Sequence, residues 1–484
     1  MPLGPASFLA VAFVYLLHLE VSGDDRFHSD ALEYWQLGEL FDRDGHFSLL
    51  SYDSPHRGYS LPLFNHGLQG ISAASGLGEL GLVRLTGALL AATLGVVVLP
   101  RLARLLFPSA AIGWGRVLLF NALIFLFWRG HFGFPLSDFP ALLAVSVGLI
   151  ALLRGTTAAF VVAGIGFGLA ANLRPAYLPA AIAALTAAAL VPPPPRSWRR
   201  RGLALTLVLT GALLVSLPQM VINNHVRGTW SPLVPSAREI GLLKLTEGLR
   251  SQRYETWVET PDRYPDTKVY YRDPAGQRVL NEEDVSEITS FRQYAGIVLR
   301  HPDLMTGSYA LHVVNGLDVW YPTPYVRDLE DRTVFLSWIQ FTLVFVATAR
   351  LFLPEARRRL GQISWIGVAV FVSPCLSAVP GGVEPRFFLP AHILVYMLVC
   401  FGPAAVHSYR AVGRRARAAI ACAYVTVIAL ALTASVAARS QAEYSRTVLS
   451  AASHLIAHDT VEMLSSVSAG RQHRLSSDGR LRNS

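Results

Sequence analysis

Residues 138–191 read DFPALLAVSVGLIALLRGTTAAFVVAGIGFGLAANLRPAYLPAAIAALTAAALV. Three apolar runs follow one another here, at 138–153, 157–173 and 175–191. Only Arg154-Gly155-Thr156 and Asn172-Leu173-Arg174-Pro175 interrupt them. A helix that spans a bilayer takes about 20 apolar residues. Runs of this length with such short breaks read as consecutive membrane helices joined by tight turns.

The pattern extends in both directions. Further candidate spans lie at 3–20, 81–99, 111–128, 202–220, 333–353, 363–380, 387–405 and 418–437, which brings the expected number to about eleven. Residues 61–80 are less hydrophobic and rich in Gly and Ser, and read as an interfacial or re-entrant segment. The composition agrees: of 484 residues, 52% are hydrophobic and 15% charged, against about 25% charged in soluble domains. The mean hydropathy is +0.38. The expected fold is an all-α polytopic membrane protein.

The net charge of +9 does not point to nucleic acid, because the basic residues sit in short connections between apolar runs. Of 42 basic residues only Lys244 and Lys268 are lysines, a bias that fits GC-rich coding. Cys375, Cys400 and Cys422 all fall inside apolar runs and form neither a disulfide framework nor a metal-ligand spacing.

Orientation follows from where arginine collects. Alternate connections hold Arg101 and Arg104; Arg154; Arg196, Arg199, Arg200 and Arg201; Arg350, Arg357, Arg358 and Arg359; and Arg410, Arg414, Arg415 and Arg417. Their only acid is Glu355. This set is cytoplasmic by the positive-inside rule. The first run lacks a basic leader and a small-residue cleavage site, so it reads as a span and not as a signal peptide. The opposite face then holds the 21–60 loop, the 129–137 turn, the turn at Arg174, the long 221–332 segment and the Pro380–Arg386 turn. Four regions result. Residues 1–220 form an N-terminal membrane module with the 21–60 loop as its external element. Residues 221–332 form an external subdomain in which 291–318 reads as a membrane-surface helix. Residues 333–438 carry the last spans, and 439–484 form a polar tail.

The residues with chemical potential share the non-cytoplasmic face. Asp30 and Glu33 lie three apart in an amphipathic stretch and share a helix face, where a carboxylate can take a proton from a hydroxyl. Asp30 also suits a helix N-cap. Asp138 opens an apolar run, where a carboxylate is costly unless it has a role. Arg174 and Arg386 stand at membrane edges on the side that disfavours arginine, and a guanidinium suits phosphate. Arg386 has Glu384 as a nearby partner. His28, His46, His56 and His66 crowd the first loop. His28 and Asp30 allow a divalent metal, but no spacing matches a zinc pattern, and no cofactor motif is present. No internal repeat appears, which weighs against transporters built on inverted repeats.

The order of short motifs resembles the GT-C fold glycosyltransferases that use polyprenyl-phosphate sugars. The likeness is nearest to the protein-mannosyltransferase and lipid A aminoarabinose-transferase superfamily. It rests on Asp30 to Tyr34, on Arg57-Gly58-Tyr59-Ser60-Leu61-Pro62-Leu63, and on Ser137-Asp138. It continues through Gly168 to Pro175, through Pro218, Asn223 and Gly228, and through Arg386 to Pro390. The resemblance spans about 400 residues. It implies a GT-C-like bundle with an external subdomain. Asp30 becomes the catalytic base, with Asp138 as a second acid. The family often has an acid directly after the first Asp; Ala31 stands there, and Glu33 is the substitute. The resemblance further implies donor-phosphate binding by Arg174, Arg57 and Arg386, with Tyr34, Tyr59 and Asn172 in the pocket. The partners it implies are a polyprenyl-phosphate sugar, a cell-envelope acceptor and the lipid bilayer. The setting is a bacterial plasma membrane. The rival readings are a transporter or flippase, and a non-catalytic scaffold for envelope assembly.

Overall fold

All eleven apolar runs are helical in the computed structural model, which describes residues 4–22, 25–108, 112–190, 198–258, 267–328, 333–352, 360–403 and 413–444. Arg196, Arg357, Arg358, Arg359 and Arg410 of the expected basic connections, and the tail beyond residue 444, lie outside the described residues. Four helices are long and apolar enough to cross a membrane: Glu79–Leu106, Arg201–Arg227, Val334–Phe352 and Arg414–Arg439. The chain is a helical membrane protein on that measure. The remaining seven runs form helices of 13 to 17 residues: Pro5–Val21, Trp114–Trp128, Asp138–Arg154, Thr157–Leu173, Leu178–Leu190, Gln362–Ala378 and Leu389–Phe401. At 1.5 Å per residue these reach about 20–26 Å. Several run on into single 3₁₀ turns, such as Arg129–Gly133 and Pro385–Phe388.

Small residues set how closely the helices pack. A Cβ on Gly164 would lie 2.0 Å from the Val208 carbonyl oxygen, and one on Gly211 would lie 2.2 Å from that of Val161. Only glycine permits that approach between Thr157–Leu173 and Trp198–Arg227. Backbone proximity of this kind is how helices associate where lipid removes the hydrophobic drive. The helix Trp198–Arg227 runs past the expected boundary at residue 220 and carries Pro218 inside it.

The all-α expectation needs correction outside the bundle. The 221–332 segment contributes three strands to a four-stranded sheet. Numbering in chain order, β1 (Asp42–Arg43) and β2 (His46–Phe47) form a small hairpin in the first loop. The main sheet holds β3 (Ser251–Trp257), β4 (Thr267–Arg272), β5 (Tyr325–Val326) and β6 (Ala442–Tyr444), in the order β5-β3-β4-β6. β4 is antiparallel to β3 and β6, and β5 is parallel to β3. Tyr254, Thr256, Val269, Tyr270 and Tyr271 supply the β-branched and aromatic side chains that suit a pleated, half-buried surface. β6 comes from the expected polar tail, so the chain's last described residues close the sheet on one side.

Two further expectations are refined. Residues 291–318 form two helices, Phe291–Arg300 and Pro302–Leu317, because Pro302 cannot continue the first. The second is anchored by buried Met305, Ser308, His312 and Asn315. The Gly/Ser-rich stretch at 61–80 is a helix from Ser60 to Ser75 that ends at Gly76.

Candidate functional site

The first loop folds into a short helix, Ser29–Gln36, whose N-cap is His28. Asp30 is therefore not the cap; it sits in the first turn, where the helix dipole favours a negative charge. Ala31 and Trp35 turn inward onto Phe27, Leu82, Phe134 and Tyr325. That burial rotates Asp30, Glu33 and Tyr34 to the other side, at the i, i+3, i+4 spacing of one helix face. The Tyr325 hydroxyl fixes the helix start by accepting from the Ala31 N–H at 3.0 Å.

That face lines a cavity of about 600 Å³. Asp30 has one guanidinium on each carboxylate oxygen. Arg57 donates to Oδ1 at 3.2 Å and Arg386 to Oδ2 at 2.5 Å. Arg57 also forks onto Glu33, at 2.8 and 3.2 Å, and lies 4.6 Å over the Tyr34 ring. Arg386 stands 2.7 Å from Glu384, close but not aligned as a hydrogen bond. Arg386 thus lies between Asp30 and Glu384. Burial by itself would raise the Asp30 carboxyl pKa. The charges of Arg386, Arg57 and Lys268 outweigh it and hold the group well below the usual carboxylate range.

Arg57 is held from behind. The Tyr52 hydroxyl donates to the Arg57 carbonyl at 2.9 Å. A Cβ at the next residue, Gly58, would lie 2.2 Å from the Asn172 carbonyl oxygen, so glycine is required for the loop to close there. A polar ladder locks the contact. Ser60 donates to Asn172 Oδ1 through its N–H and its hydroxyl, and Asn172 Nδ2 donates to Gln219. Gln219 accepts from the Tyr59 N–H and donates to Asn223. Tyr59 and Asn172 were expected in the pocket. They do not line it; both brace the loop, and the Tyr59 hydroxyl is spent on the Val215 carbonyl. Tyr34 does line it.

Asp138 also differs from its expected place. It is buried, opens the helix Asp138–Arg154, and pairs with Arg174. It lines a second, apolar cavity, while its neighbour Ser137 lines the polar one. Leu173 lines both, whereas Arg174 lines the polar cavity alone, with its guanidinium 4.9 Å over the Phe387 ring. The Asp138–Arg174 pair is the wall between the two cavities.

The sequence reading missed the far side of the cavity. Lys244, Glu247, Tyr254, Thr256 and Lys268 line it. The two lysine ammonium groups lie 5.0 and 5.2 Å from the Tyr254 ring centroid. Lys244 pairs with Glu247 at 2.6 Å, which raises the lysine pKa against the opposing effect of burial and lowers that of the glutamate. Lys268 has no carboxylate partner among the described residues. A signal was available: both lysines of a chain otherwise served by arginine lie in the 221–332 segment, and both come to this cavity.

The cavity walls thus hold five cations, Arg57, Arg174, Lys244, Lys268 and Arg386, against three carboxylates, Asp30, Glu33 and Glu247. Among the described residues, no group of three or more His, Cys, Asp or Glu side chains is placed to hold a metal ion. The His28 ring packs beside Phe134 and Tyr325, and His56 bonds Ser236 at 2.7 Å. Such a cavity can bind an anion with its cations and present one carboxylate to a hydroxyl. Comparison of the chain with protein-family models, curated proteins and solved structures finds no match, so the functional reading rests on this geometry.

Proposed function

We propose that this chain is a multi-pass membrane glycosyltransferase. It moves a sugar from a polyprenyl-phosphate donor to an acceptor hydroxyl of the cell envelope. The reading takes all eleven apolar helices as spans, with the cavity on the non-cytoplasmic face of a bacterial plasma membrane. The observation that carries it is Asp30, held between two guanidiniums in a cavity with an excess of cations.

The chemistry needs two things, a base and a phosphate cradle. The acceptor oxygen attacks the anomeric carbon and forms the new C–O bond. The bond from that carbon to the phosphate oxygen breaks, and the electron pair leaves with the polyprenyl phosphate. The acceptor proton passes to Asp30. Arg57, Arg386 and Lys268 neutralise the charge that grows on the leaving phosphate.

Asp30 is weakly basic in this arrangement, because its charge is shared by two arginines. An arriving phosphodiester competes for those arginines. As they turn to the phosphate, Asp30 loses its partners and becomes the stronger base. Donor binding thereby prepares the base. Inversion at the anomeric carbon follows from a single displacement.

Transfer from radiolabelled polyprenyl-phosphate sugars to envelope extract in proteoliposomes tests the reading. Wild type transfers; Asp30→Asn binds donor but does not transfer. If neither transfers while both bind donor, a carrier or a scaffold replaces this reading.

A further inference from the structure

The second cavity, of about 570 Å³, is walled by Leu90, Leu143, Val147, Val162, Ile165 and Leu169. Phe64, Val162 and Ile165 on its lining are also exposed at the protein surface, so the groove opens sideways onto the apolar belt. Three buried polar side chains interrupt this lining: Asn65, His131 and Asp138, at 1%, 6% and 2% exposure. Each carries an atom with no hydrogen-bond partner among the described residues, namely Asn65 Oδ1, His131 Nδ1 and Asp138 Oδ2.

Their other atoms are committed. Asn65 Nδ2 donates to the Tyr34 carbonyl at 2.9 Å, and the second Asp138 oxygen takes Arg174. Burial pushes the His131 pKa down to about 3, so the ring is a neutral imidazole with one protonated nitrogen and one lone-pair nitrogen. With Nδ1 the nitrogen that lacks a partner among the described residues, we take it as the lone-pair acceptor. These three side chains therefore offer acceptors, while the Ser60 and Thr86 hydroxyls on the same wall already donate to Asn172 and to the Leu82 and Val83 carbonyls. A buried acceptor left unmet is costly, and three in one wall suit a ligand that brings donors. Asp138 Oδ2 disfavours a phosphate at this place. Ligand sites of this make, mostly apolar with a few converging polar groups, orient the head of an otherwise greasy molecule.

We propose that the groove binds a lipid with a neutral, hydroxyl-bearing head, whose hydroxyls donate to Asn65, His131 and Asp138 while its chain lies along the apolar wall. On the glycosyl-transfer reading, on which this step rests, such a lipid is the acceptor. Its hydroxyl would reach Asp30 across a thin partition: the Asp138–Arg174 pair and the Tyr34–Ser137 hydrogen bond of 3.2 Å.

The test uses the full chain in nanodiscs and two photoreactive probes with the same diazirine-bearing hexadecyl chain. One ends in a glycerol ether, the other in a phosphate monoester. Labelled positions are mapped by mass spectrometry. The glycerol ether is expected to label Leu143 and Leu169 several-fold above Leu118, which faces outward, and the phosphate is not. His131→Phe keeps the ring packing but removes an acceptor, and is expected to weaken glycerol-ether labelling about three- to ten-fold. Val162→Trp fills the groove and is expected to abolish it. Equal labelling by the phosphate overturns the proposal, as does labelling no higher than at Leu118. So does indifference to His131→Phe or to Val162→Trp. The readout is binding, and Asp30→Asn is expected to leave it unchanged. Groove labelling as expected, with no transfer by wild type from any donor, would therefore retire the transferase reading and keep the lipid site.

Discussion

Strand β3 has two faces, and each carries a set of buried charges. Alternate residues of a strand point to opposite sides. Tyr254 and Thr256 look into the polar cavity, with Lys268 opposite Thr256 on β4. Arg253 and Glu255 look the other way, into a closed core. There Arg253 is fully buried and donates to Glu255, to the Asn315 carbonyl and to the Asp318 carbonyl, with its guanidinium 3.7 Å over Trp320. Its donors are met by protein and no space remains. On the cavity side, Arg57 and Arg386 also meet carboxylates, but beside open volume. On the transferase reading, the arginines beside open volume can exchange a carboxylate for a ligand. Those sealed against an aromatic ring and two carbonyls serve the fold. Burial and ion pairing alone do not separate the two; adjoining space does.

The largest effect that would break this contrast belongs to Asp30. Asp30→Asn should cut sugar transfer by about 10²–10⁴-fold while the unfolding midpoint stays near that of wild type. A large stability loss with unchanged transfer would place Asp30 with the structural set.

Next comes Arg253. Arg253→Ala strands Glu255 in the core and unstacks Trp320, and should cost about 3–5 kcal/mol of stability. Thermal unfolding in detergent measures it. A loss no greater than that of Arg57→Ala would erase the difference between the two faces.

Lys268→Ala sharpens the contrast within the cavity. Removing this lysine leaves no buried carboxylate stranded, whereas removing Lys244 strands Glu247. Donor KM should rise about ten-fold with a smaller change in kcat, and stability should hold. Lys244→Ala should lower both affinity and stability.

The smallest effect lies at the surface. Hydrogen bonds from Arg300 and His301 bring the Glu283 pKa down to about 2. The group is depressed, so the stability it adds is present above the ordinary carboxylate pKa of about 4. That stability is lost as pH falls toward about 2. Wild type and Glu283→Gln should therefore differ slightly in unfolding temperature near neutral pH and converge in acid. A difference that grows in acid would contradict the assignment.

The helices were legible because membrane length and apolar runs are properties of contiguous sequence. All eleven runs fold as helices, and the breaks fall at Gly155 and around Arg174-Pro175. That Asp30, Glu33, Arg57, Arg174 and Arg386 come together in one cavity was also legible, since charges beside apolar runs stand out in the sequence. The sheet was less so. β5 and β6 are two and three residues long and pair with strands far away in the chain, so no local pattern announces them.

Sequence alone determined a helical chain with apolar runs of membrane length and a few charged side chains that stand out against them. The tertiary structure decided which of those side chains meet. Asp138 faces the apolar groove because Arg174 captures it at the wall. Tyr59 and Asn172 became braces because Gly58 lets the loop press against Asn172. Lys244 and Lys268 joined the cavity through β3 and β4. Side-chain partnership depends on distance in space, and a chain fixes that distance only after its long-range pairings have formed.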